Sequence, residues 1–171
     1  MNTASEKISF AVLTLSDKGS RGEREDTSGL YLKNTLIESG YELKSYAIIP
    51  DKKQEIIDAL LDLTDRQKIS LIVTTGGTGV SPTDVTPEAM VEVIHKEIPG
   101  MAEAMRAASL LKTSRGMLSR GIVGIRGESL IINLPGSLKA VKENFEVVLP
   151  VLSHAIEKIM GETSDCGAEG K

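Results

Sequence analysis

An α/β fold, built on a mostly parallel sheet with helices on both faces, is predicted by three observations. Apolar strand-like runs alternate with helical patterns through the first hundred residues or so. One of those runs passes directly into a glycine loop, residues 76–79, which leads to a helix-start signal. Two short apolar runs between residues 121 and 134 flank Gly127-Glu128, a spacing that suits a hairpin and adds an antiparallel strand at one edge.

Each element has a local cause. Residues 8–15 (ISFAVLTL) read as a first buried strand, and residues 16–25 as a polar loop containing glycine. Asp26 can cap a helix that carries Leu32 and Leu36 on one face and ends near Gly40. Residues 41–49 form a second strand, placed nearer an edge because it is more polar. Pro50-Asp51 opens a helix with Ile56, Leu60 and Leu63 at helical spacing, and residues 69–73 form the third strand. Thr86-Pro87-Glu88 supplies a capping hydroxyl, Pro at the first helical position and an acid in the first turn. That helix holds His95 and is broken by Pro99-Gly100, after which Met101, Met105 and Ala108 line the face of another. Residues 121–125 and 130–134 pair as the hairpin, and Pro135-Gly136 ends its second strand. The chain is then helical to about residue 160, with a kink at Pro150. Residues 162–171 are small and polar and read as a disordered tail, leaving residues 1–161 as one domain.

Composition narrows the function classes. The chain has 171 residues, enough for one domain with a real core. Two Phe, three Tyr and no Trp require an aliphatic core and weaken any case for base stacking. The net charge of −4, with no basic stripe, lacks the footprint of a nucleic-acid binder. Cys166 stands alone and no Cys/His cluster suggests zinc, so a reducing cytoplasmic compartment is expected. No apolar signal region and no membrane-spanning run are present.

In a parallel sheet, ligands bind beyond the carboxyl ends of the strands. The segments 16–25, 50–51 and 75–84 all leave such ends and are expected to converge. Gly76, Gly77 and Gly79 let the backbone turn and present N–H groups to an anion, with hydroxyls of Thr75, Thr78 and Ser81 as further donors. The loop matches neither the Walker pattern nor GxGxxG, and the absence of the latter disfavours a dinucleotide oxidoreductase. A plain strand-to-helix turn remains the alternative. Asp51 and Asp84 would then face a phosphate pocket together, a repulsive arrangement that Mg²⁺ resolves by joining carboxylates to phosphate oxygens. The other reading makes both simple helix-start acids. Ser16-Asp17 can contact ligand or satisfy loop backbone, and Ser119, Arg120 and Arg126 offer cations or hydroxyls to an anionic substrate or lie solvated. His95 and His154 have no evident partner and receive no catalytic role.

Four ordered segments carry a resemblance. LTLSD (residues 13–17), TTGGTGVSPTDVTPEAM (74–90), EIPGMAEAMR (97–106) and GMLSRGIVGIRGESLIINLPGS (116–137) together closely resemble the molybdenum-cofactor biosynthesis family, which includes the molybdopterin adenylyltransferases and the gephyrin G domain. The similarity runs from about residue 8 to residue 161. It implies a trimeric α/β domain, hexameric in some relatives, that binds molybdopterin and uses Mg-ATP to adenylylate its terminal phosphate, releasing pyrophosphate. A separate enzyme then inserts molybdate. The resemblance assigns function to Asp51 and Asp84, phosphate binding to Gly76, Gly77, Thr78 and Gly79, and ligand contacts to Ser16, Asp17, Asn133, Leu134, Pro135 and Gly136. A paralogue that binds molybdopterin without turnover stays open as the second reading.

Overall fold

The protein, in a computed structural model that describes residues 7–161, is a three-layer α/β domain. Its sheet has six strands: β1 (Ser9–Leu15), β2 (Glu42–Ile49), β3 (Leu71–Thr75), β4 (Lys96–Glu97), β5 (Val123–Arg126) and β6 (Ser129–Leu134). The spatial order is β2-β1-β3-β6-β5-β4. The first four of that order run parallel, and β5 is antiparallel to β6.

Strand alternation sorts the core into two halves. Phe10, Val12, Leu71, Val73, Leu130 and Ile132 face one layer. It is formed by α2 (Thr27–Glu38), α5 (Pro99–Leu110), α6 (Leu138–Val148) and α7 (Leu152–Ile159), which contribute Leu32, Met105, Phe145 and Ile156. Ala11, Leu13, Ile72 and Ile131 face the other, where α3 (Lys53–Leu61) and α4 (Thr86–Val93) bring Ile56, Leu60 and Met90. With helices on both faces, β3 and β6 are buried along their whole length.

Asp26 caps α2 as expected, accepting from the Gly29 amide at 2.8 Å. β2 lies at the sheet edge, and the helix through Pro150 is interrupted by a 3₁₀ turn at Leu149–Val151. The hairpin adds the antiparallel strand β5 towards one edge, as expected, with β6 beside β3; the short strand outermost of all, β4, was not foreseen. Several expectations are corrected. The loop after β1 contains a single helical turn, α1 (Asp17–Ser20), capped by Ser16. The Thr86 hydroxyl caps nothing; Thr86 is already the first residue of α4, and its hydroxyl donates to the Gly76 carbonyl at 3.0 Å. His95 is not helical. Ile94 turns extended (φ −73°, ψ 147°), and the His95 amide then donates to Ile125 O at 2.7 Å, which lays the chain beside β5 as β4. On α5 the buried positions are Ala102, Met105 and Ser109, with Met101 partly covered. The tail at residues 162–171, with Cys166, lies outside the described residues. No helix among the described residues is long and apolar enough to cross a membrane.

Candidate functional site

In register, Ile49, Leu15, Thr75 and Leu134 end the four parallel strands at one rim. The chain segments leaving them meet there. Ser16 N donates to Ile49 O at 2.9 Å and Ser16 Oγ accepts from Gly19 N at 3.0 Å, which fixes the turn after β1. Asp17 and Asp51 then lock reciprocally. Asp17 N donates to Asp51 Oδ2 and Asp51 N donates to Asp17 Oδ1, each at 3.0 Å. Two loops from neighbouring strands are thus joined by paired backbone-to-carboxylate bonds, and Asp51 Oδ1 is left towards the glycine loop.

That loop begins with two left-handed residues, Gly76 (φ +108°) and Gly77 (φ +65°). The Gly76 amide donates to Leu134 O at 3.1 Å, and the Thr86 amide to Gly77 O at 3.1 Å. The backbone N–H groups of Gly77, Thr78 and Gly79 donate to no acceptor among the described residues, the condition of an anion cradle. The two acids flank it. A Cβ at Gly77 would stand 3.3 Å from Asp51 Oδ1, and one at Gly79 would stand 2.8 Å from Asp84 Oδ2. Asp84 Oδ2 also accepts from Ser81 N at 2.9 Å.

Asp51, Asp84, Ser16, Thr75, Gly76 and Gly77 line one cleft of about 440 Å³. Burial raises the Asp51 carboxyl above its ordinary value. The Asp17 amide opposes this, and the negative charges of Asp17 and Asp84 reinforce it. A second cavity of about 590 Å³ opens on the other side of the loop and shares Gly77, Asp84, Gly136 and Ser137 with the first. Thr78, Gly79, Ser119 and Pro135 line it. Both volumes are in the range of small-molecule sites.

The remaining sequence candidates divide. The Thr75 hydroxyl donates to Pro135 O at 2.7 Å and so braces the loop after β6. Asn133 is buried, receiving the Ile122 amide at 3.3 Å and donating to Thr74 Oγ1 at 3.0 Å; with Leu134 it lines neither cavity. The Arg120 guanidinium faces the back of the glycine loop. Arg126 is at the opposite end of the sheet, beside Ser129 in register and paired with Asp65, so it is no cation for this cleft.

Three features were not foreseen. Asp26, read only as a cap, also lines the first cleft; its Oδ2 accepts from Thr14 Oγ1 and Tyr46 OH, both at 2.6 Å. Burial, then the Asp26 carboxylate, raises the Tyr46 phenol. Ser28 Oγ donates to Gly136 O at 2.9 Å, tying the start of α2 to the end of β6. The signal was Gly29, where a Cβ would stand 2.2 Å from Asp26 Oδ2, but the tight approach is invisible without the fold. Lys112, Arg115 and Lys139 around the second cavity come from three separate segments and left no pattern in sequence.

The reciprocal lock carries a prediction. Asp17→Ala keeps the residue-17 amide on Asp51 Oδ2 but removes the acceptor of the Asp51 amide, and the lost charge-assisted bond, about 1.5 kcal/mol, should lower kcat/KM roughly tenfold. Asp17→Asn keeps an oxygen acceptor and should retain most activity. Steady-state kinetics on the two variants check this, and equal losses would contradict the lock.

A glycine loop with unbonded amides, flanked by two acids at the carboxyl rim of a parallel sheet, is the α/β architecture whose chemistry suits a phosphorylated ligand. The family model described as a probable molybdopterin binding domain matches residues 11–154, and the chain belongs to that family. It is 40% identical over 158 residues to a molybdopterin adenylyltransferase of Helicobacter pylori strain J99, covering 90% of this chain and 89% of that protein. The structure of the molybdopterin biosynthesis enzyme MoaB from Thermus thermophilus superimposes with a TM-score of 0.85 at 46% identity, covering 91% of this chain and 98% of that one. The chain is also 41% identical over 160 residues to the molybdenum cofactor synthesis protein cinnamon of Drosophila melanogaster, a match that covers 93% of this chain but only 27% of that protein.

Proposed function

We propose that this protein is a molybdopterin adenylyltransferase of molybdenum cofactor biosynthesis. A terminal phosphate oxygen of molybdopterin attacks the α-phosphorus of ATP. The bond from that phosphorus to the oxygen bridging the β-phosphate breaks, and pyrophosphate leaves with the electron pair. The substrate supplies its own nucleophile, so the enzyme needs no Ser, Cys or His for the purpose. Positioning and charge neutralisation supply the rate.

The observation that carries the reading is the pair Asp51 and Asp84 on either side of one glycine loop, in a chain 40% identical to a named adenylyltransferase. A pure anion binder gains nothing from two acids in its pocket. These residues fit Mg²⁺, which takes hard oxygen donors, few of them from protein. Among the described residues no group of three or more His, Cys, Asp and Glu is placed to hold a metal by itself, which leaves the remaining positions to phosphate and water. Asp51 and Asp84 would hold it, and Mg²⁺ supplies neutralisation of the triphosphate. The free amides of Gly77, Thr78 and Gly79 cradle phosphate oxygens. Lys112, Arg115 and Lys139 favour the anionic pterin substrate in the second cavity, with the nucleotide in the carboxylate-lined cleft. The cavities share Gly77, Asp84, Gly136 and Ser137 in their linings, where the phosphates would meet. A homotrimer or hexamer acting in the cytoplasm, which passes its product to a molybdate-insertion enzyme, completes the proposal.

Pyrophosphate release from Mg-ATP, strictly dependent on added molybdopterin, is the expected outcome with purified protein. Tight molybdopterin binding without release would replace the reading with a non-catalytic binding paralogue.

A further inference from the structure

Loop 78–84 joins the glycine cradle to Asp84, yet little of it touches the core. Residues 80–83 are exposed, and Val80 is 63% accessible. The internal bonds of its tip amount to a short turn, with Asp84 N donating to Ser81 O at 2.9 Å, Ser81 N returning to Asp84 Oδ2, and Ser81 and Thr83 hydroxyls in contact. Such a segment opens readily unless something holds its ends.

Arg120 holds both. Its amide donates to Thr78 O at 2.9 Å. Its Nε donates to Gly79 O at 2.7 Å and its Nη2 to Asp84 O at 2.8 Å. The remaining edge of the fork pairs with Glu88 on α4. The guanidinium therefore spans the two stems of the loop, and Glu88 pairs with it from α4. Arg120 lines neither cavity.

We propose that Arg120, oriented by Glu88, is a positioning residue that sets the Asp84 carboxylate against the glycine cradle, and makes no contact with substrate phosphate. This rests on the adenylyl-transfer reading for its kinetic consequence, and on geometry alone for the clamp. A lysine presents a single point charge and cannot bridge two carbonyls in a fixed fork. A phosphate-binding cation would be substantially rescued by lysine; a fork would not.

The test compares Arg120→Lys, Arg120→Ala and Glu88→Ala with the wild type in two measurements. In pyrophosphate release, both Arg120 variants should lose about 10²-fold in kcat, the scale of a small misplacement of reacting groups, with KM for ATP and molybdopterin changed less than about threefold. Glu88→Ala should lose about tenfold, because the fork is kept but no longer oriented. In hydrogen exchange, the bonded amides of Ser81, Thr83 and Asp84 should exchange at least about tenfold faster in both Arg120 variants while those of β3 stay unchanged. An Arg120→Lys enzyme with wild-type kcat and a raised KM, a gain of activity in Glu88→Ala, or unaltered exchange at Ser81, Thr83 and Asp84 would overturn the clamp. If Arg120→Ala does not fold, Arg120→Lys carries the test alone. Absence of pyrophosphate release by the wild type would remove the activity reading, while the exchange result would still decide the clamp.

Discussion

Asp51→Asn should yield a protein that melts higher than the wild type and transfers almost no adenylyl group. The two effects share one cause. Asp51 is partly buried, and burial is the largest influence raising its carboxyl above the ordinary 3.8; the neighbouring charges of Asp17 and Asp84 add to it. The folded protein therefore holds the Asp51 proton more tightly than the unfolded chain does. Stability falls as pH rises from 3.8 through the raised folded value, and the whole penalty is present at neutral pH. Asparagine removes the charge and keeps an oxygen to accept the Asp17 amide. Its gain in melting temperature should accordingly be clear at pH 7 and vanish as the pH is lowered below 3.8, where the wild-type carboxyl is also neutral. Activity follows the opposite course. In the proposed mechanism the ionised carboxylate holds the cation that neutralises the triphosphate, so kcat/KM should drop by about 10²–10³-fold, the usual cost of removing a preorganised electrostatic group. Asp84→Asn should lose activity on the same scale. Thermal melts across pH, set beside pyrophosphate release, check both halves. An Asp51→Asn protein that is active, or that gains nothing at neutral pH, would sink the account of the paired acids.

The parts of this site that were legible in sequence are those with local causes. Gly76, Gly77 and Gly79 announce a turn, Asp84 precedes a Pro-marked helix start, and Asp51 follows the second strand, so their convergence could be argued from strand ends alone. What was missed depends on register and neighbours. β6 was legible as a strand, but nothing local ranks it inside the sheet beside β3. β4 has two residues, too few for any periodicity, and exists because β5 offers an unpaired edge. Thr86 has the signature of a cap, yet Gly76 O competes for its hydroxyl from ten positions away. The Thr14–Asp26–Tyr46 bonds and the Arg120 fork join residues whose proximity only the folded chain creates. Local chemistry thus names the glycine loop and its two acids, and tertiary structure alone brings in the groups that brace them and the basic side chains of the second cavity.

Gly76→Ala should be among the most damaging small substitutions in the molecule, and Gly40→Ala supplies its control. Both glycines have left-handed backbone, φ +108° at Gly76 and φ +90° at Gly40. An added methyl at Gly40 meets nothing within 4 Å, so its cost is the conformational strain alone, about 1 kcal/mol. At Gly76 the same methyl would stand 2.3 Å from Leu15 O. That carbonyl belongs to the last residue of β1, a strand paired on both sides, and cannot swing aside as a surface side chain can. Nor can the loop retreat, since the Gly76 amide is bonded to Leu134 O and its carbonyl receives the Thr86 hydroxyl. Strain and overpacking together should cost about 3 kcal/mol or more, lowering the melting temperature by roughly 6–12 °C against about 3 °C for Gly40→Ala. The damage should also be directional. Any relief moves the start of the loop away from β1, which carries the Gly77 and Gly79 amides away from Asp51, so the residual folded protein should lose phosphate-ligand binding that Gly40→Ala retains. Melts and nucleotide titration of the two variants separate these outcomes. Equal destabilisation would mean that the close approach of loop and strand at Leu15 does not constrain the cradle.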